Sequence, residues 1–107
     1  MTETEFLDEV QRIWQTIEST VDRWAETLSI DIEAIRNGSV LEVEFENGRK
    51  IIINPQTPLQ QVWLASVHGA FHFTRQTQGW IDTRSTKDFW QIFSEQAALE
   101  AGMALPG

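Results

Sequence analysis

Apolar residues recur at helical spacing near the start of the chain and predict one amphipathic helix from Thr4 to about Leu28. Apart from one adjacent pair, steps of three and four residues separate the members of this stripe, as a helix with one buried face requires: Phe6, Val10, Ile13, Trp14, Ile17, Val21 and Trp24. Thr2 or Thr4 can cap the helix, and Glu3 and Glu5 suit the positive end of its dipole. The pattern therefore indicates a helix with one face in the core.

A two-residue period follows the helix and predicts strands. Residues 30–33 alternate as an edge strand would, a turn falls at 37–38, and residues 40–46 alternate strictly, with leucine, valine and phenylalanine on one face and glutamates on the other. Asn47-Gly48 signals a hairpin. A two-residue loop would pair Val43 with Ile52, whereas a loop one residue longer pairs it with Ile51. Burial sets register, so we expect the longer loop, with Gly48 in a left-handed conformation.

The stretch from Ile51 to Ala65 reads as strand, rigid corner and strand. Three isoleucines favour a strand, and Pro55 and Pro58 each disfavour helical backbone at the residue before them. Side chains alternate faces in the second strand, so Trp63 points away from the core if its two neighbours, valine and leucine, point into it. A tryptophan between glutamine and small residues is thus predicted to face solvent or a partner.

The remaining pattern predicts strands over about 62–67 and 70–75, a short strand over 80–82, and a second helix. Ser85 and Asp88 have the spacing of a capping box, and the helix ends near Gly102. Its predicted buried face consists of Phe89, Ile92, Phe93, Gln96 and Ala97. Strands between two helices indicate an α+β two-layer sandwich, with both helices on one face of a five- to six-stranded antiparallel sheet, in a single domain of residues 1–107.

Composition and charge narrow the function. The net charge is −8, and residues 1–46 carry 12 acids and 3 bases, against 4 acids and 5 bases in residues 47–107. This field repels phosphate backbones and anionic lipids and attracts cations or a basic protein surface, so we expect neither nucleic acid nor membrane as a partner. The chain has no cysteine, which excludes disulfides and self-ligation of an iron–sulfur cluster. No signal-peptide pattern is evident, and we expect a cytoplasmic protein.

Carboxylates in the first half form the candidate cation surface. Glu18, Asp22 and Glu26 recur every four residues toward the helix end, where the dipole already disfavours negative charge, and each like-charge pair costs about 0.2–0.5 kcal/mol. A solvated helix face is the ordinary explanation of such a row. Asp31, Glu33 and Glu46 follow from the adjoining strands. Such hard oxygen ligands favour weak binding of several cations without distinguishing among them.

Four segments of the chain resemble the frataxin family in its bacterial branch. They are Phe-Glu-Asn-Gly at 45–48, Ile-Ile-Ile-Asn at 51–54, Pro-Leu-Gln-Gln-Val-Trp-Leu-Ala at 58–65 and Phe-His-Phe at 71–73. The resemblance implies the same sandwich, weak binding of ferrous and ferric iron along an acidic ridge, and docking of that ridge on the cysteine desulfurase. It also implies that Asn54, Gln61 and Trp63 contact the iron–sulfur scaffold protein and desulfurase. The family often carries denser acids than this chain, which has Arg23 within the row.

Three tryptophans, Trp14, Trp24 and Trp90, are expected in the core. His68 and His72 are four residues apart, but Gly69 separates them into two strands, so a histidine metal pair is disfavoured. No nucleophile elbow, phosphate loop or paired-histidine helix motif occurs, and we expect a protein without catalytic activity.

The favoured hypothesis is a mostly monomeric iron-binding protein that regulates, or supplies iron to, iron–sulfur cluster assembly, with oligomers forming in the presence of iron. Iron storage with ferroxidase activity is the first alternative. A generic acidic interaction domain without a metal role is the second.

Overall fold

A computed structural model describes residues 1–106, and over that range it shows two α-helices and one six-stranded antiparallel sheet. In chain order the elements are α1 (Glu3–Leu28), β1 (Ile32–Asn37), β2 (Val40–Phe45), β3 (Lys50–Gln56), a 3₁₀ turn (Thr57–Leu59), β4 (Gln61–Ser66), β5 (Gly69–Gln76), β6 (Gly79–Asp82) and α2 (Phe89–Ala101). Each strand pairs with the next along the chain, so the spatial order is β1 to β6. The predicted α+β sandwich with terminal helices is confirmed.

Helix α1 begins with a capping box. The Thr2 hydroxyl accepts from the Glu5 backbone N–H at 3.1 Å, and the Glu5 carboxylate accepts from the Thr2 N–H at 2.8 Å. Hydrogen bonding with the backbone and the side chain of Thr2 lowers the pKa of Glu5. Ser29 ends the helix in a left-handed conformation. All seven apolar residues of the predicted stripe are buried.

Both helices cover the same face of the sheet, and the core lies between the two layers. The core side chains of the central strands alternate with outward ones, and each contributes about 1.5–3 kcal/mol by its burial: Leu41, Val43, Ile51, Ile53, Val62 and Leu64. Trp24 of α1 stacks on Phe93 of α2, with ring centroids 6.0 Å apart. The opposite side of the sheet, here called the open face, carries no helix within residues 1–106.

The β2–β3 register follows the prediction from burial. Val43 pairs with Ile51 and Leu41 with Ile53, so the loop is one residue longer than Asn47-Gly48 alone. The Gly48 N–H donates to the Phe45 carbonyl at 2.8 Å, and the Gly48 φ of 83° lies in the left-handed region. Register here is set by which side chains must be buried.

Two predicted boundaries move in the structure. Strand β1 begins at Ile32, and residues 30–31 precede it. The corner before β4 is the 3₁₀ turn at Thr57–Leu59, while Pro55 lies inside β3. Pro55 is tolerated there because β2 pairs with β3 only as far as Ile53, so no ladder partner is required on that side.

The cap of α2 is Asp88, and the expected capping box with Ser85 is wrong. The Asp88 carboxylate accepts from the Gln91 N–H at 2.8 Å. Ser85 instead donates its hydroxyl to Asp82 at 2.6 Å. Ser85 therefore belongs to the loop before α2, three residues ahead of the actual cap.

Trp90 is not a core residue, contrary to expectation, because 38% of it is exposed. The buried face of α2 passes through Phe89 and Phe93, and Trp90 flanks this face with its ring edge-on to both. Trp80 is buried in its place at the end of the sheet, 5.9 Å from the Phe6 ring. Trp14 and Trp24 are buried as expected.

The C-terminal segment packs against α1. The Trp24 indole N–H donates to the Pro106 carbonyl at 2.8 Å, and Leu105 lies against the core. The chain after α2 is therefore packed against the core as far as residue 106.

Candidate functional site

Helix α1 presents the predicted acidic row, which consists of Glu18, Asp22 and Glu26. The last turn of the helix contains no basic residue. Asp22 and Glu26 are exposed, and within residues 1–106 neither forms a salt bridge or a side-chain hydrogen bond. Because these two carboxylates are four residues apart at the negative end of the helix dipole, they repel each other and attract a cation or a basic surface.

Glu18 differs from its two neighbours because Arg36 of β1 neutralises it. The Arg36 guanidinium donates to both Glu18 oxygens, at 2.8 and 3.0 Å, and this hydrogen bonding raises the Arg36 pKa. The same side chain donates to Gln11 at 3.0 Å and lies 5.3 Å from the Trp14 ring centroid. Arg36 was not among the predicted site residues because the edge strand was expected to end at residue 33, whereas β1 continues to Asn37. Extending the alternation from Ile32 would have placed Arg36 on the helix side.

The other three candidate acids occupy two different places. Strand alternation puts Glu33 on the open face, directly opposite Glu44 of β2. Asp31 precedes β1 and Glu46 follows β2, and both line a cavity at that end of the sheet. The six acids therefore do not form one continuous ridge on the helix layer.

The donor set suits hydrated or loosely held cations. Among residues 1–106, no three histidine, aspartate or glutamate side chains are close enough to ligate one metal ion directly. Carboxylates are nevertheless the ligands that hard cations accept, through one or two oxygens and retained water. Iron binding at these residues stays a prediction, with the acidic row and the cavity as its two candidate locations.

Two of the predicted docking residues, Asn54 and Trp63, lie in one cross-strand row of the open face, and Gln61 is two residues before Trp63 on β4. Asn54 pairs with Trp63, and Trp63 pairs with His72. The neighbours of Trp63 in β4, Val62 and Leu64, are fully buried, which confirms that Trp63 points away from the core. The row is therefore accessible from the side of the sheet opposite the helices.

Two contacts hold Trp63 in place. Its ring stacks on the His72 imidazole, with centroids 4.2 Å apart and planes 13° from parallel. Its indole N–H donates to the Gln61 side chain at 2.8 Å. Because the indole is already ordered, a partner would not have to immobilise it on binding. This stack was not predicted, because it follows from the β4–β5 register, which pairs Trp63 with His72.

Part of the negative charge on the open face is neutralised. Lys50 donates to Glu42 at 3.0 Å, and Asn37 donates to the same residue at 3.3 Å. The hydrogen bond from Lys50 is the main reason that the Glu42 pKa is lowered, and it also raises the Lys50 pKa. The unneutralised carboxylates of this face are consequently Glu33 and Glu44, on the two strands nearest the β1 edge.

A cavity of about 270 Å³ lies at the end of the sheet where β1 begins and β2 ends. It is here called the helix-end cavity. Its lining comes from the segment after α1, the end of β2 with its turn, and the last turn of α2: Ile30, Asp31, Phe45, Glu46, Asn47, Glu100 and Ala101. Glu100 was not among the predicted site residues. Its spacing of four from the buried Gln96 would have placed it on the inner face of α2.

Glu100 carries a fully buried carboxylate. Its Oε1 lies 3.0 Å from His68 Nε2, in the turn between β4 and β5. Neither oxygen has a partner with hydrogen-bond geometry among the described residues. His68 and His72 thus contact different groups, Glu100 and Trp63 respectively, and do not share a site.

Comparisons with known proteins agree with this architecture. A family profile described as a frataxin-like domain matches residues 1–103. The iron-sulfur cluster assembly protein CyaY of Cupriavidus necator is 44% identical over 105 residues, covering 98% of this chain and 95% of that protein. The protein of the same name from Herminiimonas arsenicoxydans is 39% identical over 104 residues, covering 96% and 93%.

A solved structure shows the same fold. The frataxin from Psychromonas ingrahamii superposes with a TM-score of 0.86 at 33% identity, and the match covers 98% of this chain and 96% of that one. No helix in residues 1–106 has the length and hydropathy needed to cross a bilayer. With the family profile, the relatives and the fold in agreement, the chain belongs to the frataxin family.

Proposed function

We propose that this protein takes part in iron–sulfur cluster assembly as a non-catalytic component that docks on the cysteine desulfurase and its scaffold protein. The relatives named as cluster assembly proteins support the general role. The observation that carries the docking mechanism is the pair of exposed carboxylates, Asp22 and Glu26, which have no partner within residues 1–106. Negative charge left uncompensated at the end of a helix is suited to steering a basic partner.

The open face supplies the second contact of the proposed interface. Trp63 is a large aromatic side chain ordered by His72 and Gln61, and residues of this kind often contribute most of the binding energy of an interface. Asn54 stands beside it in the sheet and offers an amide for hydrogen bonding. Docking would thus combine long-range attraction at the acidic row with short-range contact at Trp63.

Iron enters this proposal as a weakly held cargo or regulator. The carboxylate oxygens of the acidic row fit ferrous or ferric ions that keep part of their water. A ferroxidase centre needs several carboxylates gathered around each ion, and residues 1–106 contain no such cluster, so we do not propose iron storage. The cytoplasmic location and the monomeric state remain predictions.

A pull-down with the cysteine desulfurase tests the docking mechanism. We expect a complex at low salt that weakens at high salt, and weakens further with Asp22→Lys or Glu26→Lys. Glu95→Lys is the matched control, because Glu95 is an exposed acid of α2 that pairs with Lys87 away from α1. Equal binding by all three variants, or no complex at low salt, would reject the mechanism. Cluster-assembly kinetics with and without the protein then separate a donor, which accelerates the reaction, from an inhibitor, which slows it.

A further inference from the structure

Two Asn-Gly pairs lie at turns of the sheet, Asn37-Gly38 between β1 and β2 and Asn47-Gly48 between β2 and β3. We propose that Asn37 is a self-modification site, at which the folded chain converts asparagine to aspartate or isoaspartate without an enzyme, while the fold protects Asn47 from the same reaction. The proposal goes beyond the docking function, since the reaction needs neither a partner nor a metal ion. Its product is one added negative charge on the open face.

The reaction is a cyclisation followed by hydrolysis. The backbone nitrogen of Gly38 attacks the side-chain carbonyl carbon of Asn37, the bond from that carbon to the amide nitrogen breaks, and ammonia leaves with the proton of the Gly38 N–H. Water then adds to either carbonyl group of the resulting succinimide ring and opens it to aspartate or isoaspartate, whose acidic proton passes to ammonia. Glycine has no Cβ to hinder the attack, and a Cβ at Gly38 would meet no heavy atom within 4 Å.

The attacking nitrogen differs between the two pairs. Among residues 1–106, the Gly38 N–H donates to no acceptor. The Gly48 N–H, in contrast, donates to the Phe45 carbonyl at 2.8 Å. Because the nitrogen must give up its proton to attack, the hydrogen bond at Gly48 has to break before the reaction can begin there.

The side chain that must be attacked differs in the same direction. Asn37 is exposed, and its amide makes one hydrogen bond, to the Glu42 carboxylate at 3.3 Å. Asn47 is held at both ends of its amide. Its oxygen accepts from the Arg49 N–H at 2.9 Å, and its nitrogen donates to the Glu100 backbone carbonyl at 3.3 Å. Rotation of the Asn47 side chain toward the next residue therefore breaks two hydrogen bonds.

The position in the sheet also favours reaction at Asn37. This residue is the last of β1, which is an edge strand, and it pairs with Val40 on one side only. The two loop residues that follow, Gly38 and Ser39, are both exposed. An end of an edge strand opens locally at a small fraction of the cost of global unfolding. The backbone at Asn37 can therefore reach the geometry of the ring without unfolding the domain.

The product changes the charge of the open face. Asn37 lies on this face with Glu33, because residues four apart on a strand share a side. The reaction replaces the amide that donates to Glu42 by a carboxylate that repels it. Lys50, which donates to Glu42 at 3.0 Å, then has two acids to neutralise. The face that carries Trp63 thus becomes more negative as each molecule ages.

Tandem mass spectrometry of the folded chain, aged in mildly alkaline buffer, tests the proposal. Asn37 should be converted at least about tenfold faster than Asn47, because the hydrogen bonds at Asn47 and Gly48 must first open. The same chain in guanidinium chloride is the control, in which both pairs should react at similar rates. Equal rates in the folded chain, or conversion of Asn37 only after unfolding, would overturn the proposal.

The products and the third asparagine test the route. A succinimide ring opens to both aspartate and isoaspartate, and labelling by an isoaspartyl methyltransferase detects the second of these. Asn54 precedes Pro55, whose nitrogen has no hydrogen to lose, so Asn54 should stay unmodified. Aspartate alone at position 37, or conversion of Asn54 as fast as Asn37, would rule out the ring.

Substitutions at constant charge identify the residue responsible. Wild-type protein should develop a form that an anion exchanger retains more strongly, and Asn37→Gln should lose most of it. Asn47→Gln is the matched control and should age like the wild type. Formation of the retained form at the wild-type rate in Asn37→Gln would overturn the assignment.

Asn37→Asp reproduces one product and tests the effect on the open face. The pKa of Glu42 should be higher in this variant than in Asn37→Gln, because a like charge takes the place of a hydrogen-bond donor. Titration of the Glu42 carboxyl signal by NMR measures the difference. Equal pKa values of Glu42 in the two variants would overturn the predicted change in the charge of this face.

Discussion

Arg36 holds the Glu18 carboxylate by two hydrogen bonds, of 2.8 and 3.0 Å, and thereby removes one of the three negative charges from the acidic row. Both side chains are partly exposed, at 39% and 31%. Exposed pairs of this kind contribute little to stability. The main effect of the pair is therefore on the electrostatic field of α1, where a β1 residue sets how negative the helix surface is.

Arg36→Gln should strengthen cation binding at the acidic row. The substitution removes a positive charge and frees Glu18, and one charge a few ångströms away in water is worth about 1 kcal/mol, or about fivefold in affinity. Manganese-induced broadening of the α1 amide signals measures the change. Arg84→Gln is the control, since Arg84 binds the Ala70 carbonyl far from this helix. Equal manganese affinity in both variants would show that Arg36 does not tune the row.

Trp63→Ala should weaken the complex with the scaffold and desulfurase by about 2 kcal/mol, or about 30-fold, as expected for a central aromatic contact. Far-UV circular dichroism should stay unchanged, because the ring lies outside the core. The measurement is equilibrium binding by calorimetry.

Trp90→Ala is the matched control for this prediction, because Trp90 is 38% exposed on the helix layer. It should leave the affinity within twofold of the wild type. If both tryptophan variants lose the same affinity, the open face is not the specific contact.

Asp82→Asn should reduce stability at neutral pH and flatten its dependence on acid. Burial alone would raise the Asp82 pKa, but hydrogen bonds from the Ser85 hydroxyl, the Ser85 N–H and the His72 N–H outweigh burial and lower it. A lowered pKa in the folded state gives stability above the ordinary value of 3.8, and this stability is lost as pH falls through the folded-state pKa.

Urea unfolding at pH 7 and pH 3 measures this effect. The variant should lose about 1–3 kcal/mol at pH 7, since hydrogen bonds to a charged group are broken. It should also lose less on acidification than the wild type. Asp8→Asn, at an exposed position of α1, is the control for the change in charge. A variant with the wild-type slope would mean that other acids govern the acid transition.

Removing residues 105–107 should lower the free energy of unfolding by about 1–3 kcal/mol. The truncated chain loses one hydrogen bond of about 1 kcal/mol and the packing of a half-buried leucine, and both contacts involve residues that lie against the core. Tryptophan fluorescence should shift to longer wavelength as water reaches Trp24. Pro106→Ala keeps the carbonyl that accepts from Trp24 and should be near wild type. Unchanged stability of the truncated chain would show that the contact is dispensable.

The features predicted best from the sequence are those that the burial of apolar side chains determines. The α1 stripe and the pairing of Val43 with Ile51 follow directly from which side chains must leave water. Trp90 was misassigned because hydrophobicity alone does not say which of two adjacent aromatic residues on α2 faces inward. The cap at Asp88 was missed because Ser85 and Asp88 both have side chains that can cap a helix, and their spacing of three fits a capping box that begins at Ser85.

Many residues of the candidate site could be predicted from the sequence, but their contacts with one another could be predicted only in part. The alternation of side chains along β4 was enough to place Trp63 on the open face. The partner of Glu18, by contrast, comes from β1, and the cavity around Asp31 and Glu46 is completed by Glu100 from the far end of the chain. Contacts between distant segments depend on the relative placement of helices and sheet, which local periodicity does not encode.

The bond between Trp24 and Pro106 joins residues 82 positions apart. During synthesis α1 is translated well before the residues that cover this indole. Until Pro106 has been translated, the nascent chain lacks the carbonyl that accepts from the Trp24 indole. A chain that stopped near residue 100 would contain all six strands but would lack the residues that cover Trp24, and the apolar surface left exposed would make it a substrate for proteolytic quality control.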